Sequence, residues 1–158
     1  MNGSLTELSK IIKKSVFIPK LKAETKEGVL IEITDTLVRE KVVAKESRNA
    51  VLAALVERES KMSTGMQYGV AIPHAKTNLV SQLTTFFALS QKGVDFCSLD
   101  GTVSTVFVGT LSPLSAVNLH IKFLAEVSKQ LSSRKVREKV LKAQNIDDLV
   151  ETICGTSE

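Results

Sequence analysis

The chain has 158 residues, 43% of them hydrophobic and 24% charged, with a net charge of +4 and a pI near 9.1. That is one domain's worth of sequence with an aliphatic core, since there is no Trp, one Tyr and six Phe. The composition excludes a disordered chain and a disulfide scaffold, and no apolar run approaches the roughly 18–20 residues that cross a bilayer. Glu7 and scattered lysines break up the N-terminus, which therefore does not read as a signal peptide. Cys97 and Cys154 stand far apart, which points to a reducing compartment and hence to the cytoplasm.

Taken in order, residues 4–14 place Leu5, Leu8, Ile11 and Ile12 at helical spacing, and Pro19 stops the segment. Residues 20–23 suit a short strand. Thr25 reads as an N-cap for a helix running to Glu40, with Val29, Leu30, Ile33 and Leu37 inward. Ser47 reads as the cap of a helix running to Glu59, whose apolar face is Val51, Leu52 and Leu55. At about 100° per residue, Arg58 and Glu59 fall on that inward face, where charge is costly without a partner. They pair with each other, fray into solvent, or serve a pocket in which Arg58 awaits an anion.

The loop Ser63-Thr64-Gly65 leads into a strand over 70–74 that ends on Pro73-His74. Strands follow over 83–89 and 103–111, with turns at Gly93 and Asp100-Gly101. Ser112-Pro113 opens a helix to Leu131, with Ala116, Val117, Ile121, Leu124, Val127 and Leu131 inward and His120 amid that arc. Helices over 133–143 and 145–154 finish the chain, and the termini, 1–4 and 155–158, read as loose. Strands interleaved with helices make a single α/β domain over 5–154, its central sheet covered by helices on both faces.

No zinc-ligand spacing, nucleophile elbow, Walker A or dinucleotide fingerprint is visible, so no metal and no cofactor is expected. What remains is His74 at a strand end, Arg58 pointing inward, hydroxyls on a Gly-bounded turn, and an inward His120. A lone histidine is more often structural than catalytic; the company it keeps here suits a transient negative group carried on imidazole. His74 would be the nucleophile, attacking neutral through a free ring nitrogen. Arg58, local N–H groups and Thr64 would hold oxygens, and His120 would orient or polarise them.

Arg58-Glu59, Ser63-Thr64-Gly65 and Gly69-Val70-Ala71-Ile72-Pro73-His74 resemble the R-E…S-T-G-x-x-x-G-x-A-x-P-H signature of phosphotransferase-system EIIA domains of the fructose/mannitol/nitrogen-regulatory type, or type 2. The likeness runs from Leu5 to Ile153 and includes Asp100-Gly101, Ser112-Pro113 and His120. It departs at Lys61-Met62, where a small residue is commoner. The resemblance implies a mixed sheet between helices, phosphorylation of His74 by an HPr- or NPr-type carrier, and support of the phosphoryl group by Arg58 and His120. It makes Ser63, Thr64 and Gly65 a phosphate-binding loop. Downstream it implies a regulatory phosphocarrier whose phosphorylation state alters its binding to target proteins, with transfer to an EIIB cysteine of a sugar branch as the alternative. The Leu5–Leu8 opening and Thr25-Lys26-Glu27 are most similar to the nitrogen-regulatory proteins.

Two readings from other classes compete. A phosphorylation-independent binding module would keep the fold without the chemistry, and the change at Lys61-Met62 is its only hint. A nucleic-acid binder would rest on pI alone, without motif or stacking aromatics, so neither nucleic acid nor membrane insertion is expected. The basic clusters at Lys10, Lys13, Lys14 and at Arg134, Lys135, Arg137, Lys139 read as solvated surface, or as steering for an acidic partner.

Overall fold

Alternation along two long strands decides the architecture of the computed structural model, which describes residues 3–155. Strands β4 (Thr84–Val94) and β5 (Ser104–Ser112) pair antiparallel at the centre of the sheet. Successive side chains of a strand face opposite ways. Phe86, Ala88, Phe107 and Leu111 therefore enter one apolar layer, while Phe87, Leu89, Val106 and Val108 enter another. The first layer is closed by α2 (Lys26–Arg39) and α3 (Arg48–Lys61), through Val29, Leu30, Ile33, Leu37, Val51 and Leu55. The second is closed by α1 (Gly3–Lys13), α4 (Val117–Leu131), α5 (Arg134–Val140) and α6 (Ile146–Cys154). Each fully buried Phe or Leu contributes about 1.5–3 kcal/mol. Exposed pairs such as Lys61–Glu57 and Arg134–Glu138 contribute at most about 1 kcal/mol each. The two apolar layers hold the fold.

The sheet is mixed. β1 (Val16–Ile18) runs parallel to β4 on one edge. On the other edge, β2 (Val70–Ala71) and β3 (His74–Lys76) follow each other along β5, both parallel to it. The register sets Val70 beside Val106 and His74 beside Thr110. Gly109 permits this approach: a Cβ there would stand 1.9 Å from the Pro73 carbonyl oxygen and 2.3 Å from the Phe86 ring.

Several local expectations are corrected. The single strand over 70–74 is two, because Pro73 has no N–H and the Ile72 N–H donates to Thr64 rather than to β5. The first edge strand is Val16–Ile18, before Pro19, not 20–23; Leu21 only adds one N–H bond to Leu89. Gly93 lies inside β4 at φ +84°, next to the register shift between Leu89 and Val94, where the left-handed backbone suits glycine. Thr25 caps α2 as expected, its Oγ1 accepting from the Gly28 N–H at 3.0 Å. Ser47 makes no side-chain cap; a 3₁₀ turn over Lys45–Ser47 leads into α3 instead. Ser112 belongs to β5, and a 3₁₀ turn over Leu114–Ala116 precedes α4, which starts at Val117. The inward arc of α4 is His120, Phe123, Val127 and Leu131, and Ile121 is exposed. Of the termini, residues 1–2 and 156–158 lie outside the described residues, and Gly3-Ser4 belong to α1. No helix among the described residues is long and apolar enough to cross a membrane.

Candidate functional site

His74 is the first residue of β3, delivered by the Pro73 break to the open edge of the sheet. Its ring is half-buried. The Nδ1 atom lies 2.6 Å from the Ile72 carbonyl oxygen. A carbonyl only accepts, so Nδ1 carries the proton and Nε2 keeps its lone pair. Burial holds the His74 pKa below its ordinary value, and the Arg58 guanidinium adds to this against the Ile72 bond and Glu59. At neutral pH the ring is uncharged.

Beside it lies a cleft of about 470 Å³ lined by Ala54, Glu57, Arg58, Lys61 and the strand residues His74, Ala75 and Lys76. Arg58 comes from the last turn of α3 and is half-exposed. One of its five N–H groups is spent on the Met62 carbonyl at 2.8 Å, which fixes the guanidinium at the rim and leaves the rest free for an anion. Met62 itself is extended and exposed, a backbone that does not require glycine, so Lys61-Met62 is accommodated without strain.

His120 reaches the same place from α4. Its ring centroid is 5.5 Å from that of His74, with the planes tilted by 46°. It is buried, and its Nδ1 lies 2.7 Å from the Thr110 hydroxyl. Burial lowers its pKa too, helped by His74 and Lys76. His74, the Arg58 fork and two lysines, Lys61 and Lys76, thus line a cleft open to solvent, while His120 stands buried against the His74 ring rather than in the lining. This is the equipment to accept and hold a tetrahedral anion on nitrogen.

The Ser63-Thr64-Gly65 loop stands in a different relation to the cleft. Its residues do not line it, and their hydroxyls are engaged. Thr64 Oγ1 donates to Glu59 Oε1 at 2.6 Å and the Thr64 N–H donates to Oε2 at 2.8 Å. Ser63 Oγ donates to the Phe96 carbonyl and accepts from the Gly65 N–H at 2.9 Å. Of the fates open to the two inward charges, they do not pair with each other. Glu59 is buried, bridged to Lys26 at 2.8 Å, and clamps the loop. Arg58 serves the cleft.

Sequence reasoning missed Lys76, Thr110 and the Ile72 carbonyl. A hydroxyl inside the apolar run Val106-Phe107-Val108-Gly109-Thr110-Leu111 was the available signal for Thr110. A backbone acceptor leaves no trace in side-chain identity.

Comparison with known proteins gives a family and a fold. The family described as "Phosphoenolpyruvate-dependent sugar phosphotransferase system, EIIA 2" matches residues 10–154. The chain is 35% identical over 154 residues to the "PTS system fructose-specific EIIA component" of Haloferax volcanii, spanning 98% of this chain and 99% of that protein. It is 29% identical over 134 residues to a "Nitrogen regulatory protein" of Bradyrhizobium diazoefficiens, spanning 84% and 85%. The crystal structure of the nitrogen regulatory protein IIA-Ntr of Neisseria meningitidis shares the fold, with a TM-score of 0.79 at 24% identity over 93% of this chain and 99% of that one.

Proposed function

The chain belongs to the EIIA type 2 family of the phosphoenolpyruvate-dependent phosphotransferase system, and on that premise we propose that it is a phosphocarrier that holds a phosphoryl group on Nε2 of His74. The observation that carries the reading is the Nδ1–H bond to the Ile72 carbonyl, which leaves Nε2 as an unprotonated nucleophile at the cleft.

The phosphoryl donor is the phosphohistidine of an HPr- or NPr-type carrier. The Nε2 lone pair attacks phosphorus in line as the donor's P–N bond breaks, and the departing electron pair stays on the donor imidazole. No proton moves at His74. The ring becomes an imidazolium bearing phosphate, and its Nδ1–H strengthens its bond to Ile72 as charge develops. Arg58 binds the equatorial oxygens, with His120 as second support. The Ser63-Thr64-Gly65 loop, held by Glu59, braces the entry to β2 rather than contacting phosphate through its hydroxyls.

The onward acceptor is an EIIB-type cysteine of the fructose branch, a reading favoured by the 35% identity to a fructose-specific EIIA along the full length of both chains. The nitrogen-regulatory reading, in which phosphorylation governs binding to target proteins, draws on the Bradyrhizobium relative and on the Thr25-Lys26-Glu27 helix start.

Intact mass after incubation with phosphoenolpyruvate, enzyme I and an HPr-type carrier tests the proposal. Wild type gains one acid-labile phosphoryl group and His74→Ala gains none; full labelling of His74→Ala refutes it. Adding a fructose-type EIIB then separates the branches: the label moves to EIIB in the first reading and stays on His74 in the second.

A further inference from the structure

His120 has two ring nitrogens, and which of them carries the proton decides what it can offer a phosphoryl group. We infer that Thr110 sets this choice: its hydroxyl donates to Nδ1 of His120 and thereby keeps the proton on Nε2, making His120 a neutral hydrogen-bond donor to phosphate on His74. The inference rests on the phosphocarrier reading for its use, but not for the tautomer itself.

Three observations carry it. Thr110 is 0% exposed, so its O–H needs a protein acceptor. Among the described residues its hydroxyl meets one partner, His120 Nδ1 at 2.7 Å. If Nδ1 were the donor, the threonine proton would be left without an acceptor in a dry site, whereas the reverse arrangement leaves only lone pairs unused. The second observation is position. Thr110 is the register partner of His74 on β5 and turns to the α4 side of the sheet, as Val106 and Val108 do. One strand residue therefore stands beside the nucleophile and anchors the helix residue above it. The third is complementarity. Ile72 holds the proton of His74 on Nδ1, so its Nε2 is the nucleophile. Thr110 holds the opposite tautomer on His120, so its Nε2 is the donor. Two chemically identical side chains are given different tasks by one carbonyl and one hydroxyl. Thr110 is thus a positioning residue, acting only through His120.

Long-range ¹H–¹⁵N correlation spectra of the histidine rings of wild type, recorded at neutral pH, read the tautomer directly. Nδ1 of His120 is expected unprotonated and Nε2 protonated, with the opposite pattern on His74. A proton on His120 Nδ1 overturns the inference. Thr110→Val keeps the shape and removes the hydroxyl, and should show mixed His120 tautomers. Its maximal rate of phosphoryl uptake from phosphorylated HPr-type carrier should fall about tenfold, with KM for the carrier unchanged. Thr110→Ser should restore both tautomer and rate. A Thr110→Val protein that keeps pure Nε2–H and the wild-type rate also overturns it. The wild-type spectrum decides the question even where Thr110→Val does not fold. Failure of wild type to be labelled at all refutes the phosphocarrier reading and leaves the spectrum to judge Thr110.

Discussion

Replacing Glu59 with alanine is expected to cost about 3 kcal/mol of stability, and the structure says where that comes from. Glu59 is buried and answers two donors of Thr64, the N–H and the hydroxyl, besides the Lys26 ammonium. Truncation strands the buried Thr64 N–H, at about 1–3 kcal/mol. The hydroxyl can rotate in search of another acceptor, so its loss is nearer 1 kcal/mol. Lys26 is a quarter exposed and lies 5.2 Å from the Phe96 ring, so its charge returns to water and adds little. For a domain of this size the sum corresponds to a fall in Tm of roughly 6–12 °C, at about 2–4 °C per kcal/mol. Glu59→Gln retains one acceptor and should recover about half of the loss. Urea denaturation of the three proteins, with amide exchange read at Thr64 and Gly65, measures the effect. Loss of less than about 0.5 kcal/mol in Glu59→Ala, or no faster exchange at Thr64, would refute the clamp and return Glu59 to the status of an incidental ion pair.

Three further outcomes are expected. Arg58→Ala should slow phosphoryl uptake about 100-fold, with Arg58→Lys between it and wild type, because an ammonium keeps the charge but loses the fork; single-turnover transfer from a phosphorylated carrier reads this. The unprotonated ring is the reactive form, and the His74 pKa is held below 6.5, so the uptake rate should be highest at mildly basic pH, fall as pH drops, and reach half its maximum below 6.5. A half-maximal point above 6.5 in a stopped-flow pH series would contradict the burial argument. Gly109→Ala should destabilise by at least about 3 kcal/mol and disturb the ring resonances of His74, because the added methyl meets the Pro73 carbonyl at 1.9 Å; wild-type thermal stability would show that β3 does not press on β5 there.

How much of this was legible in the sequence differs by scale. The helices and the two central strands were readable because their patterning is long and unambiguous: Val29 to Leu37 at helical spacing, and the apolar run over 103–111. Boundaries failed where a residue with a capping habit served another purpose. Ser47 and Ser112 are good caps by type, yet 3₁₀ turns intervene and Ser112 is claimed by β5. In α4, Ile121 of the expected inward arc is exposed and Phe123, which that arc left out, is buried. At the site, residue types single out His74, Arg58 and His120, and the fold sets Arg58 in the cleft with His74 and packs His120 against the His74 ring. The tautomers could not be read, because they depend on the Ile72 carbonyl and on a register that sets Thr110 beside His74. The loop Ser63-Thr64-Gly65 reads as donors for an anion, yet both donors of Thr64 go to Glu59, five residues earlier at the end of α3, a buried pairing that residue types alone do not announce.

The broken edge of the sheet bears on solubility as well as on reactivity. A protein that presents a nucleophile on an outer strand exposes backbone donors and acceptors that invite a foreign strand to add, the usual first step of aggregation. Here the edge is two residues, a break, and three residues. The break is Ile72, whose N–H goes to the Thr64 carbonyl, and Pro73, which has none, and the segment around Gly65 pairs along the outer side of β2. An incoming strand would find no continuous ladder to extend.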